Sequence, residues 1–196
     1  MDRAWQPFDA HGRRKYLTTT EQAALAVGAI DAPLADWALT MVLLLTGCRL
    51  SEALEMQLCQ IDIHQKQVVL RTLKRRRTHM RAVPVPAVIY SWVWRGLWDA
   101  GLTPFCPIWT YSRTTAWRRV KRVMASVGIE DGPHASPKGF RHGFAVGAIS
   151  AGVPLTVLQK WMGHAKIETT ARYLDVGGAE ERALAKAFWS GLHFKD

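Results

Sequence analysis

Arg141 and His142 stand side by side within the apolar run GFRHGFAV, residues 139–146. Two cationic or near-cationic side chains are costly in a core helix and well suited to holding an anion. Arg49 poses the same question in TGCRLSEAL, between the apolar run WALTMVLLLTGC and the start of another helix. A guanidinium is planar, permanently charged and able to bond two oxygens at once, which matches a phosphate. The alternative for each arginine is a structural ion pair, and Glu52, three residues after Arg49, is an available partner. A third stretch, WMGHAKIETTARY, sets His164 in a turn after Gly163 and Tyr173 on the short helix that follows. If these groups converge on one phosphate, tyrosine can attack as a nucleophile while the cations stabilise the charge that develops. Held apart, the histidine is a cap or surface residue and the tyrosine part of a core.

The totals suit such an anion. The chain has 196 residues, with 26 Lys+Arg against 16 Asp+Glu, a formal net charge of +10. That balance favours a polyanion such as nucleic acid, although basic ribosome-associated and membrane-surface proteins share it. Cys48, Cys59 and Cys106 are odd in number and widely spaced, forming neither a CxxC pair nor a disulfide framework. This points to a reducing compartment. No apolar segment follows the charged N-terminus as in a signal peptide, and residues 37–48 are too short to span a bilayer.

The elements that must carry these residues are mostly helical. Residues 1–16 read as a basic leader or linker, and residues 17–196 as one domain. Thr18 with Glu21 forms a capping-box pattern before LTTTEQAALAVGAI continues as a helix. A second helix is predicted over 36–45, broken at Gly47, and a third over 51–58 with Ser51 as its cap. Val68 and Leu70, then Val83 and Val85, alternate as strands do around the basic block KRRRT, which predicts a hairpin turning at Lys74–Thr78. Pro84 and Pro86 confine the second strand to an edge or end. Further helices are predicted over 88–100, 114–129, 139–151, 154–162, 167–174 and 179–189. In the 114–129 helix, Trp117, Val120, Met124 and Val127 share one face, and Arg118, Arg119, Lys121 and Arg122 surround the other. The fold class is mainly α with a small antiparallel β-sheet.

Together these stretches resemble the tyrosine recombinases, the phage-integrase type of site-specific recombinase. TGCRLSEAL is similar to the box carrying their first arginine. SPKGFRHGFA resembles their second box, a His or Lys followed by Arg and His, and LQKWMGHAKIETTARYLDV resembles the last, with the tyrosine nine residues after the histidine. YLTTTEQAALAVGA and TLKRRRTHMRAVPVP resemble the first helix and the hairpin of the family's catalytic domain. The resemblance covers roughly residues 16–190 and implies the tyrosine recombinase catalytic-domain fold.

It also implies roles. Arg49, Arg141 and His164 would clamp the scissile phosphate of double-stranded DNA. Tyr173 would attack it to form a 3′-phosphotyrosine and release a 5′-hydroxyl. The link conserves the bond energy, so no nucleotide, metal or other cofactor is expected. Lys74 would protonate the leaving oxygen, with Arg75, Arg76 and Arg77 beside it. Lys138 fills a position often held by histidine, which leaves the acceptor of the tyrosine proton open, with His134 as a substitute. Glu52 would orient the first arginine, and His142 would support the site from behind the groups that touch phosphate. Arg118, Arg119 and Arg122 would contact the DNA backbone.

The tail, residues 180–194, would either dock on a neighbouring protomer in a tetramer or pack on its own chain. The family's N-terminal DNA-clamping domain is not expected in the sixteen residues before the first helix. A half-clamp of this kind should bind DNA weakly. The implied setting is a host cytoplasm, and the implied processes are integration, recombination or mobile-element transfer. A type IB topoisomerase, or an idle DNA-binding regulator on the same scaffold, is the alternative.

Overall fold

The computed structural model describes residues 6–73, 79–87, 99, 101, 103–175, 182, 185, 186 and 189. The expected turn Lys74–Thr78 lies outside them, as do most of the expected helices over 88–100 and 180–194.

Helix α1 (Thr19–Gly28) begins as its sequence requires. Thr18 Oγ1 accepts the Glu21 N–H, and the Glu21 carboxylate accepts the Thr18 N–H in return. The segment before it differs from a plain linker. The Lys15 N–H returns to the Pro7 carbonyl, Arg14 pairs with Glu21 at 2.7 Å, and Tyr16 and Leu17 are buried. From residue 6 onward this stretch is folded against α1.

Helix α2 (Leu34–Thr46) is buried over nearly its whole length, which explains its unbroken apolar run. It stops at Gly47, which takes the left-handed conformation at φ 57°. A Cβ there would also lie 2.4 Å from the Phe144 ring, so turn geometry and packing both demand glycine. Helix α3 (Leu50–Leu54) follows, shorter than predicted and capped from Arg49 rather than Ser51. The Glu52 carboxylate turns back onto the Arg49 N–H at 3.0 Å and takes the cap.

Strands β1 (Ile61–Asp62), β2 (Gln67–Thr72) and β3 (His79–Pro84) form one antiparallel sheet in that order. Val68 pairs with Val83 and Leu70 with Arg81. Strand β3 is an edge and ends at Pro84, where a missing N–H costs no ladder bond.

Helix α4 (Arg113–Ser126) buries Ala116, Val120, Val123 and Met124. Trp117, expected on that face, is instead 42% exposed, because Ala116 occupies the inward position. Its ring lies beneath the Lys121 ammonium, 5.1 Å from the ring centroid. Helix α5 (Pro137–Ser150) starts under the Ser136 hydroxyl, which accepts the Gly139 N–H. Helix α6 (Leu155–Met162) has Pro154 as its cap rather than in its first turn. Helix α7 (Ile167–Ala171) is followed by a 3₁₀ turn, Arg172–Asp175, that holds Tyr173.

Two apolar clusters result among the described residues. The larger joins α1 to α4 and the sheet, and the smaller joins Tyr16, Ala145, Val146, Leu158, Met162 and Tyr173. Phe144 packs against both. Each fully buried leucine contributes about 1.5–3 kcal/mol. Among the described residues no helix is long and apolar enough to cross a membrane.

Candidate active site

Arg141 lies at the seam between the two clusters, on the buried face of α5, only 7% exposed. Its Nη1 donates to the Gly47 carbonyl at 2.7 Å. Its Nη2 donates to the Met162 carbonyl at 2.7 Å and reaches His164 Nε2 at 2.8 Å. The ends of α2 and α6 therefore fix this guanidinium. Burial, then the charge of Arg49, lowers its pKa to about 10, so it remains a cation at neutral pH.

His164 is buried beside it. A guanidinium only donates, so His164 Nε2 accepts and Nδ1 carries the proton. That proton faces Thr170 Oγ1 at 2.9 Å. Burial, then the charges of Arg141, Arg49 and Arg81, holds the imidazole pKa down to about 3, with Glu52 opposing. The ring is therefore neutral, a state in which Nε2 carries no proton.

This predicts a stability slope. The unfolded imidazole titrates near 6.5, so between about pH 6.5 and 3 the unfolded chain binds more protons. Stability is therefore fully present above 6.5 and falls with acidification, by up to about 1.4 kcal/mol per pH unit per histidine. His142 acts in the same direction. Urea unfolding between pH 7 and 4.5 should show this slope, and His164→Gln should flatten it.

Tyr173 is 5% exposed. Its ring stacks against His164, with centroids 6.4 Å apart and planes at 11°. Burial pushes the phenol pKa up, while the charges of Arg141 and Arg49 and a hydrogen bond from Arg141 pull it down. His142, expected only as a support, contacts the phenol itself, with Nδ1 3.0 Å from Oη.

Arg49 is three-quarters buried and spends its Nη1 on Glu52 Oε1 at 2.7 Å. Glu52 is fully buried and bridges two arginines, because its Oε2 meets Arg81 Nη2 at 2.6 Å. Desolvation raises the Glu52 pKa, but Arg81, Arg49 and the cap N–H outweigh it and hold the group ionised. Arg81 also donates to Thr72 Oγ1 at 2.8 Å and to the Trp161 carbonyl at 2.7 Å, tying the hairpin to the turn that presents His164.

Sequence reasoning passed over Arg81, although strand alternation sets it on the same face as Val83 and Val85. Thr170 was also missed. Nothing in its local pattern separates it from Thr169.

Gly163 is held at φ 65° between these groups. A Cβ there would lie 2.9 Å from Thr72 Oγ1 and 3.2 Å from the Arg81 guanidinium carbon. Gly163→Ala should cost about 1–2 kcal/mol from the left-handed backbone alone. Denaturant unfolding checks it.

The other expected residues are distributed around this centre. Lys138 is exposed on the first turn of α5, and its charge reaches His142. His134 faces Glu21 at 3.5 Å. Arg119, expected at a DNA phosphate, is committed to the buried Asp36 at 2.9 Å and lies over the Tyr111 ring. Buried Asp36 needs a counter-charge, and Arg119 supplies it. Arg118 and Arg122 are exposed on α4. Lys74, Arg75, Arg76 and Arg77 lie outside the described residues. An open cleft of about 220 Å³ beside His164 is lined by His79, Thr156, Gln159, Lys160, Gly163 and His164.

Comparisons with known proteins agree with this architecture. Tyrosine recombinase XerD of Mycobacterium tuberculosis is 32% identical over 198 residues, covering 91% of this chain and 61% of that protein. XerD of Neisseria meningitidis serogroup A is 29% identical over 185 residues, covering 87% and 62%. The chain thus spans about six-tenths of the length of these relatives. The crystal structure of XerA recombinase superposes with a TM-score of 0.74 at 20% identity, covering 88% of this chain and 64% of that one. The catalytic domain of bacteriophage HP1 integrase gives 0.62 at 19% identity, covering 87% and 93%. Both show the same fold, mainly helical with a small antiparallel sheet. Residues 15–179 match the phage integrase family, and the chain belongs to that family.

Proposed function

We propose that this chain cuts and rejoins double-stranded DNA in site-specific recombination, through a covalent phosphotyrosine at Tyr173. The observation that carries the reading is the convergence of Arg141, His164 and Tyr173 from three segments, with the Arg49–Glu52 pair beside them. Tyr173 Oη attacks the scissile phosphorus and the bond to the 5′-oxygen breaks. Arg49 and Arg141 take the non-bridging oxygens, where each such donor is worth about 10²–10³ in rate. His164 becomes a donor on gaining a proton, which an incoming phosphate favours by offsetting the neighbouring arginine charges. Lys74 is the proposed acid for the leaving oxygen, since it falls between β2, which ends at Thr72, and β3, which carries Arg81. An arginine there would hold its proton too tightly.

XerH has been solved bound to its difH substrate, and its fold matches with a TM-score of 0.71 at 16% identity. This supports DNA as the partner. Arg118, Arg122 and the basic hairpin would follow the backbone, and the tail would mediate a tetramer on DNA.

The test is a nicked suicide duplex, drawn from a randomised pool enriched by binding. A denaturation-resistant adduct whose DNA maps to the peptide carrying Tyr173 is expected. Mapping to Tyr111, or binding without any adduct, would overturn the reading. Relaxation of supercoiled plasmid without strand exchange would point to a topoisomerase.

A further inference from the structure

We propose that His142 is a catalytic residue, the group that accepts the proton of Tyr173 as the tyrosine attacks. The inference rests on the strand-transfer reading and assigns the one proton that reading leaves without a destination.

The geometry carries it. Tyr173 Oη lies 3.0 Å from His142 Nδ1, and the nearby Arg141 guanidinium favours the ionised phenol. The phenol has one proton to give, and Nδ1 of an imidazole protonated at Nε2 can take it. The two rings are tilted at 48° with centroids 5.7 Å apart, so the contact runs edgewise through Nδ1 and Oη. His142 and Arg141 are consecutive on α5, so the same stretch of helix brings a cation and a proton acceptor to one phenol. The two other candidates are placed differently from His142, although the charge of Lys138 is felt at its ring. Lys138 is exposed, and His134 faces Glu21.

The charged groups around His142 explain when it would act. Arg141 and Lys138 on its own helix, and Lys15 from the N-terminal segment, all disfavour a second proton on the ring, after the larger effect of burial. Tyr173 faces it from the 3₁₀ turn. A scissile phosphate bound against Arg141 brings negative charge to this cationic setting and makes the imidazolium easier to form. The base strengthens when substrate arrives.

The step balances. The Oη–P bond forms and the P–O5′ bond breaks. The phenol proton passes to His142 Nδ1, and the leaving 5′-oxygen takes a separate proton from the acid of the hairpin. Rejoining runs the transfers in reverse.

The experiment measures single-turnover adduct formation on the enriched suicide duplexes across pH. Wild type is compared with His142→Gln and with both chains carrying 3-fluorotyrosine at position 173. Loss of a positioned base should slow His142→Gln by about 10²–10⁴-fold. Its rate should then climb with phenol ionisation, and the more acidic fluorophenol should recover part of the loss. A rate within about threefold of wild type overturns the proposal, as does a loss with an unchanged pH profile and no recovery.

If His142→Gln does not fold, the fluorinated wild-type chain carries the test. A low-pH limb that stays in place supports transfer to the imidazole, and one that moves with phenol acidity overturns it. Absence of any wild-type adduct overturns the strand-transfer reading, and this proposal with it.

Discussion

Tyr173→Phe is expected to lower covalent adduct formation by at least about 10⁴-fold while leaving DNA binding and the fold in place. Removing a nucleophile costs more than removing any single stabilising donor, because no other oxygen occupies its position. The ring of Tyr173 fills the smaller apolar cluster and stacks on His164, and phenylalanine keeps both contacts. What is lost is the hydroxyl, with its contacts to Arg141 and His142. Gel-shift binding and thermal unfolding should therefore change little while the adduct disappears. An adduct undiminished in Tyr173→Phe would remove the nucleophile assignment.

The second large effect is on stability. Arg81→Met should destabilise the chain by about 3–5 kcal/mol, the range for breaking a buried ion pair from one side. Methionine fills part of the volume but leaves Glu52 with one arginine, and leaves Thr72 Oγ1 and the Trp161 carbonyl without the donor they have now. Urea unfolding near neutral pH measures it. Adding Glu52→Gln should cost less than the two single losses combined, since the groups share one network. The Glu52 contribution has its own pH window. Its folded pKa is depressed, so that stability is present above about 4.5 and is lost as pH falls through the folded value.

These two residues mark how far the sequence could be read. His164 and Tyr173 stand out only through the family resemblance, whereas Arg141 and Arg49 are legible because each sets a cation where an apolar or turn residue would serve. Thr18 and Glu21 are legible for the same local reason, and so is the alternation of Val68, Leu70 and Val83. Arg81 is different. Its partner Glu52 lies 29 residues away, and a charged side chain in a basic stretch looks solvated until the fold brings a carboxylate beneath it. Arg119 was hidden likewise, since its partner Asp36 is 83 residues distant. Ser51 had the right chemistry for a helix cap, but the helix starts earlier, where the Glu52 carboxylate accepts the Arg49 N–H. Spacing alone cannot decide such a competition.

The way Arg141 is held bears on which changes the chain can tolerate. Its two backbone contacts come from the carbonyls of Gly47 and Met162, at the ends of α2 and α6, and carbonyls belong to every residue type. Substitution at 162 does not delete its acceptor, whereas a change in chain length does, and at 47 the turn and the Phe144 ring already demand glycine. One residue inserted before either helix end advances the spiral by about 100° and swings the carbonyl to another side. The placement of Arg141 is thus guarded by the count of residues in two helices, and single-residue insertions and deletions there are expected to be purged more completely than substitutions at 162.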